Sequence, residues 1–149
     1  MRRQARVFLQ SHLALGVKPT LESLSAVFDQ PGIVAAYLFG SFALGRANPL
    51  SDIDLAYLGS DYKTEDSLFD LIYEDLQRRL GEGNFDLIPL RRAPLHLKFQ
   101  VVTAGTCLIN REPLAAEDFA AQAIVRYLDF KPYRDAYFAA GGNCGSRSR

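Results

Sequence analysis

Two acids, Asp52 and Asp54, stand one residue apart in an otherwise apolar run, and ten residues separate Asp52 from the dipeptide Gly40-Ser41. On a β-strand, residues i and i+2 point to the same side, so this spacing presents two carboxylates next to each other. Like charges held that close repel, and one pKa rises unless a divalent cation neutralises them. An oxygen-only donor set of this kind suits Mg²⁺, which takes one or two protein carboxylates and completes its shell from substrate phosphates. Gly40-Ser41 ends a second apolar run, IVAAYLF, and a turn there offers backbone N–H groups and a hydroxyl to those phosphates. The chemistry implied is metal-dependent nucleotidyl transfer. The plainer alternative makes both acids caps at a loop end, a common use of Asp after Ser. Against it, Asp54 lies between Ile53 and Leu55, where an unpaired charge is expensive.

A third acid, Asp86, is set in the apolar run Phe85-Asp86-Leu87-Ile88. It has two readings: a structural salt bridge to Arg91 or Arg92, or a third carboxylate beside the first two. The second holds if its strand pairs with the one carrying Asp54. Ser41 serves equally as a helix N-cap and as a phosphate contact, since a helix N-terminus is itself an anion site. Arg46 has two readings as well, a phosphate contact and a solvated loop arginine. Ser51, next to Asp52, joins the nucleotide-binding candidates. His12 and His96 are isolated and lack metal-ligand spacing.

Elements able to position these groups can be read from apolar periodicity and turn residues. Helices are expected over 3–15 and 20–29, then a strand over 33–39 and a second over 53–58. A helix over 64–80 follows, with Leu68, Leu71, Ile72, Leu76 and Leu80 on its apolar stripe and Glu65 and Asp66 favouring its N-terminal dipole. Gly81 is placed for a left-handed cap. A third strand spans 84–90, Pro94 opens a helix that ends by Gly105, and a fourth strand covers 106–109. A last helix starts near Pro113 and is broken by Pro132, with a short helical turn beyond. The aromatics Tyr127, Phe130, Tyr133, Tyr137 and Phe138 cluster in that region, as core or as an apolar patch for a partner. Alternation of strands and helices predicts a small α/β (α+β) domain, a mixed sheet with helices on one face and at the ends.

Bulk properties agree with one domain, residues 1–140 with an extra N-terminal helix, and a disordered Gly/Ser/Arg-rich tail at 141–149. The 17 basic and 17 acidic residues cancel, which argues against direct nucleic-acid binding. The two cysteines, Cys107 and Cys144, are far apart and too few for a disulfide scaffold, so a cytoplasmic home is expected. No apolar run reaches the length of a membrane span, and polar interruptions at Gln10, Ser11 and His12 favour an amphipathic helix over a signal peptide.

The segments GSFALGRANPLSDIDLAYL and FDLIPLRRAPLHLKFQVVTAGTCLINRE resemble the minimal nucleotidyltransferases (MNT) of the polymerase-β-type superfamily, and most of all the antitoxins paired with HEPN-domain toxins. The resemblance covers roughly residues 20–135. It implies Asp52, Asp54 and Asp86 as ligands of Mg²⁺, two ions, and Gly40 and Ser41 as contacts of the ATP triphosphate. It also implies AMP transfer from ATP to a tyrosine of a HEPN ribonuclease toxin, which silences that partner. The chain departs from the group at Leu44, where a basic residue is common, with Arg46 two positions on. The competing readings are a transferase for a small hydroxyl compound such as an aminoglycoside, and a non-catalytic toxin-binding subunit. Only 63 residues follow Asp86, too few for the further domain that a small-acceptor pocket usually needs.

Overall fold

The computed structural model describes residues 20–40, 52–81 and 83–140. Helix α1 (Leu21–Val27) starts at Thr20 in a capping box: Ser23 N donates to Thr20 Oγ1 at 3.0 Å, and Thr20 N to Ser23 Oγ at 2.9 Å. Strands β1 (Ile33–Phe39) and β2 (Ile53–Gly59) form where the apolar runs predict them. Helix α2 (Tyr62–Leu80) starts two residues earlier than its apolar period suggests, because Asp61 caps it by accepting from Thr64 N at 2.7 Å. After β3 (Phe85–Pro89), a 3₁₀ turn at Leu90–Arg92 leads into α3 (Leu95–Ala104), β4 (Thr106–Asn110) and α4 (Pro113–Ala139).

The four strands form one mixed sheet in the order β3-β2-β1-β4. β1 pairs antiparallel with β2 and with β4, while β2 pairs parallel with β3. Helices cover both faces, not one. Leu24 and Phe28 at α1, and Ile72, Leu76 and Leu80 of α2, pack on Ile33, Leu38, Ile53, Leu55 and Tyr57. On the other face Val101 of α3 and Ala116 of α4 pack on Ala35, Phe39, Ala56 and Leu58. Both sets are needed because the inner strands β1 and β2 are apolar on both sides, as strands sandwiched between helix layers must be. A register irregularity between Ile33 and Ala35 turns β1 by one residue, which is how Val34 and Ala35 come to share a face.

Three local expectations fail for identifiable reasons. Leu71 is 53% exposed, since Leu68, Ile72 and Leu76 already fill the seam between α2 and the sheet. Gly81 takes φ 84°, ψ 156°, a positive φ without the left-handed helical ψ. Pro132 does not break α4, which runs through it to Ala139. A proline there removes one backbone donor, and the surrounding residues 128–133 face solvent, where the freed carbonyl stays accessible. No described helix is long and apolar enough to cross a membrane. The expected helix at 3–15 and the tail at 141–149 lie outside the described residues.

Candidate active site

The sheet brings two of the candidate acids into register. Asp54 pairs with Asp86 across the parallel β2–β3 ladder and with Phe39 across the antiparallel β1–β2 ladder. Asp52 lies one residue before β2, so it projects to the same side as Asp54. All three acids stand where β1 ends and where β2 and β3 begin. Asp54 is half-buried there, while Asp52 and Asp86 are exposed.

The salt-bridge reading of Asp86 fails because both candidate arginines are engaged elsewhere. Arg92 makes a bidentate pair with Asp66, at 2.7 and 2.6 Å. Arg91 donates to the carbonyls of Gly59 at 2.8 Å and Ser60 at 3.0 Å. Both guanidiniums also lie over the ring of Tyr62.

Burial pushes the Asp54 carboxyl up to about 6, and the charges of Asp86 and Asp52 and a side-chain hydrogen bond with Asp86 add to the rise. Among the described residues no group of three or more His, Cys, Asp or Glu side chains stands ready-arranged around a cation. Asp54 and Asp86 instead stand opposite each other across the ladder, where two like charges repel. A divalent cation would offset that repulsion, and the all-oxygen donor set fits a hard ion such as Mg²⁺.

Gly40 closes the site from β1. Its φ is +71°, and a Cβ built there would lie 2.2 Å from Asp54 Oδ2 and 3.1 Å from Asp54 Cγ. The backbone turn therefore passes directly against the carboxylate, an approach that only glycine permits. Ser41, Leu44, Arg46 and Ser51 lie outside the described residues.

Sequence reasoning missed Glu65. Read as a dipole acid, it is fully buried. Its Oε2 accepts from Gly59 N and its Oε1 from Arg91 N, both at 2.9 Å. Tyr57 Oη donates to its backbone carbonyl at 2.6 Å. Burial raises the Glu65 pKa, and the two backbone donors and Arg91 oppose that rise. One carboxylate thus ties the end of β2 to the turn after β3, which helps hold the two acid-bearing strands side by side. The available signal was an acid six residues after a glycine that ends a buried strand, too common a pattern to single out.

Comparison with known proteins gives consistent results. The family model described as polymerase beta, nucleotidyltransferase, matches residues 22–114, a span that contains Gly40, Ser41 and all three acids. A protein adenylyltransferase, MntA of Shewanella oneidensis, is 33% identical over 109 residues, covering 71% of this chain and 74% of that protein. The crystal structure of a toxin–antitoxin with AMP-PNP matches at TM-score 0.63 and 29% identity, over 80% of this chain and 96% of that one. A mutant form of the toxin–antitoxin MntA–HpeT matches at TM-score 0.60 and 30% identity, over 75% of this chain and 87% of that one.

Proposed function

Because the chain belongs to the polymerase beta nucleotidyltransferase family, we propose that it is an Mg²⁺-dependent protein adenylyltransferase that moves AMP from ATP to a tyrosine of a partner HEPN toxin, and so acts as a cytoplasmic antitoxin. The observation that carries this reading is the Asp54–Asp86 register with the Gly40 backbone against the Asp54 carboxylate. The likeness to MntA and to a toxin–antitoxin with AMP-PNP supports the donor and the kind of acceptor.

Asp52, Asp54 and Asp86 would hold Mg²⁺, two ions in the full complex. When bound, the metal neutralises charge that develops on the α-phosphate oxygens in the transition state. The Gly40 N–H, Ser41, Arg46 and Ser51 would contact the β- and γ-phosphates. Asp86, the more exposed of the paired acids, faces the incoming hydroxyl and accepts its proton. The tyrosine Oη forms a bond to the α-phosphorus, the bond from that phosphorus to the bridging oxygen breaks, and pyrophosphate leaves. The chain's own carboxylates thus fix the ions and move one proton, while the partner's fold presents the acceptor.

Intact mass of the co-expressed HEPN toxin, after incubation with ATP and Mg²⁺, tests the proposal. Wild type should add whole AMP units to the toxin. Asp52→Ala/Asp54→Ala should bind the toxin, add no mass and fail to protect cells. Full protection by that variant would make the chain a binding subunit and overturn the enzyme reading.

A further inference from the structure

Helix α4 is 27 residues long, about 40 Å, yet its only buried residues, Ala116 and Ala123, lie in its first half. The inward-facing stripe runs Ala116, Phe119, Ala123, Tyr127, the two aromatics partly buried, and the same helical face continues through Phe130, Arg134, Tyr137 and Phe138, with Tyr133 on its edge. In that second half the stripe is bare: Phe130 is 52%, Tyr133 76%, Tyr137 57% and Phe138 56% exposed. It borders a groove of about 370 Å³ lined by Leu95, His96, Tyr127, Phe130 and Arg134. Arg134 also donates to Tyr127 Oη at 2.9 Å, which locks the polar edge of the groove.

We propose that this bare half of α4 is a homodimer interface, covered by the same half-helix of a second copy running antiparallel about a two-fold axis near Tyr133. Two features favour a second copy. The first is charge. Lys131 and Asp135 lie on one flank of the stripe; within one helix Asp135 Oδ1 accepts from Arg134 at 3.3 Å, while its Oδ2 stands 3.8 Å from Lys131 Nζ. In an antiparallel pair a flank meets its own copy in reversed order, so Lys131 of each chain stands beside Asp135 of the other. The second is area. Each aromatic side chain carries about 150–250 Å². Four of them, half to three-quarters exposed, contribute roughly 400–500 Å² per copy. With the flanking residues, two copies approach the lower end of about 1,200 Å² for stable interfaces. The groove is lined by the start of α3, which follows the far end of β3 from Asp86, so a copy docked there leaves both carboxylate sites open.

Sedimentation velocity of the full chain alone, from about 1 to 200 μM, tests this (a range bracketing the weak affinity expected of a small interface). The wild type should move from the 16.6 kDa monomer to twice that mass as concentration rises. Phe130→Glu/Tyr137→Glu should stay monomeric with an unchanged fold by circular dichroism, because both side chains are exposed. Lys131→Asp should weaken the dimer at least tenfold by setting acids against acids, and Lys131→Asp/Asp135→Lys should restore it. A wild type that stays monomeric throughout would overturn the proposal, including the case in which only a toxin partner covers this face. So would a dimer that survives Phe130→Glu/Tyr137→Glu, or a charge swap that fails to rescue.

Discussion

Replacing Gly40 by alanine tests whether the turn after β1 sets the position of the Asp54 carboxylate. The added Cβ would stand 2.2 Å from Asp54 Oδ2, against 3.4–4 Å for ordinary van der Waals contact, so the carboxylate has to retreat by more than 1 Å. A misplacement of about 1 Å at a reacting centre can cost on the order of 10²-fold in rate, about 2.7 kcal/mol of transition-state stabilisation. The backbone adds its own penalty, since φ +71° disfavours a side chain by roughly 1–2 kcal/mol. Gly83 supplies the control: its φ is +79°, and nothing lies within 4 Å of a Cβ built there. Gly83→Ala therefore carries the backbone penalty without the contact. Both variants should lose a few degrees of melting temperature, roughly 3–5 °C per kcal/mol for a chain of this size. Only Gly40→Ala should lose transfer, about 100-fold in pyrophosphate release with toxin, ATP and Mg²⁺. Turnover of Gly40→Ala within threefold of Gly83→Ala would show that the turn does not govern the carboxylate.

Three further outcomes test the site and its supports. Glu65→Gln sets an amide N–H₂ against one of the buried donors Gly59 N and Arg91 N, and should destabilise by about 2–4 kcal/mol, read by urea denaturation. Because burial raises the Glu65 pKa above its ordinary 4.5, the native state holds its proton more firmly than the unfolded one. The stability from this group is then full below 4.5 and is lost as pH rises through the raised value, so the wild-type advantage over Glu65→Gln should shrink upward across that window; an advantage that grows with pH contradicts the assignment. Mg²⁺ with ATP at a hundredfold its Kd should stabilise the wild type by about 2.7 kcal/mol, and Asp54→Ala should abolish most of the resulting melting shift; an unchanged shift moves the metal elsewhere. Ser41→Ala should weaken ATP binding by roughly 10- to 150-fold, the loss of a charge-assisted hydrogen bond, with the fold intact by circular dichroism; wild-type affinity in calorimetry would take the phosphates off this turn.

Local sequence determined the pieces of this protein whose physics is local. The two-residue strand period puts Asp52 and Asp54 on one side whatever else the chain does, and the apolar runs at 33–39 and 53–58 form strands because both faces must be buried. Tertiary structure decided what depends on distant segments meeting. Asp86 could be a salt-bridge partner or a site acid until parallel pairing set β3 beside β2 with Asp86 opposite Asp54, a register fixed by packing between strands more than 25 residues apart. The same holds for Glu65: one donor, Gly59 N, is six residues away, but the other, Arg91 N, is 26 residues away and reaches it only once β3 pairs with β2. Pro132 shows the reverse case, a strong local signal overridden because the solvent-exposed helix around it can bear one missing hydrogen bond. Periodicity tells which way a side chain points relative to its neighbours in the chain; which other strand it then faces is set by long-range burial, and that information is spread over the whole sequence.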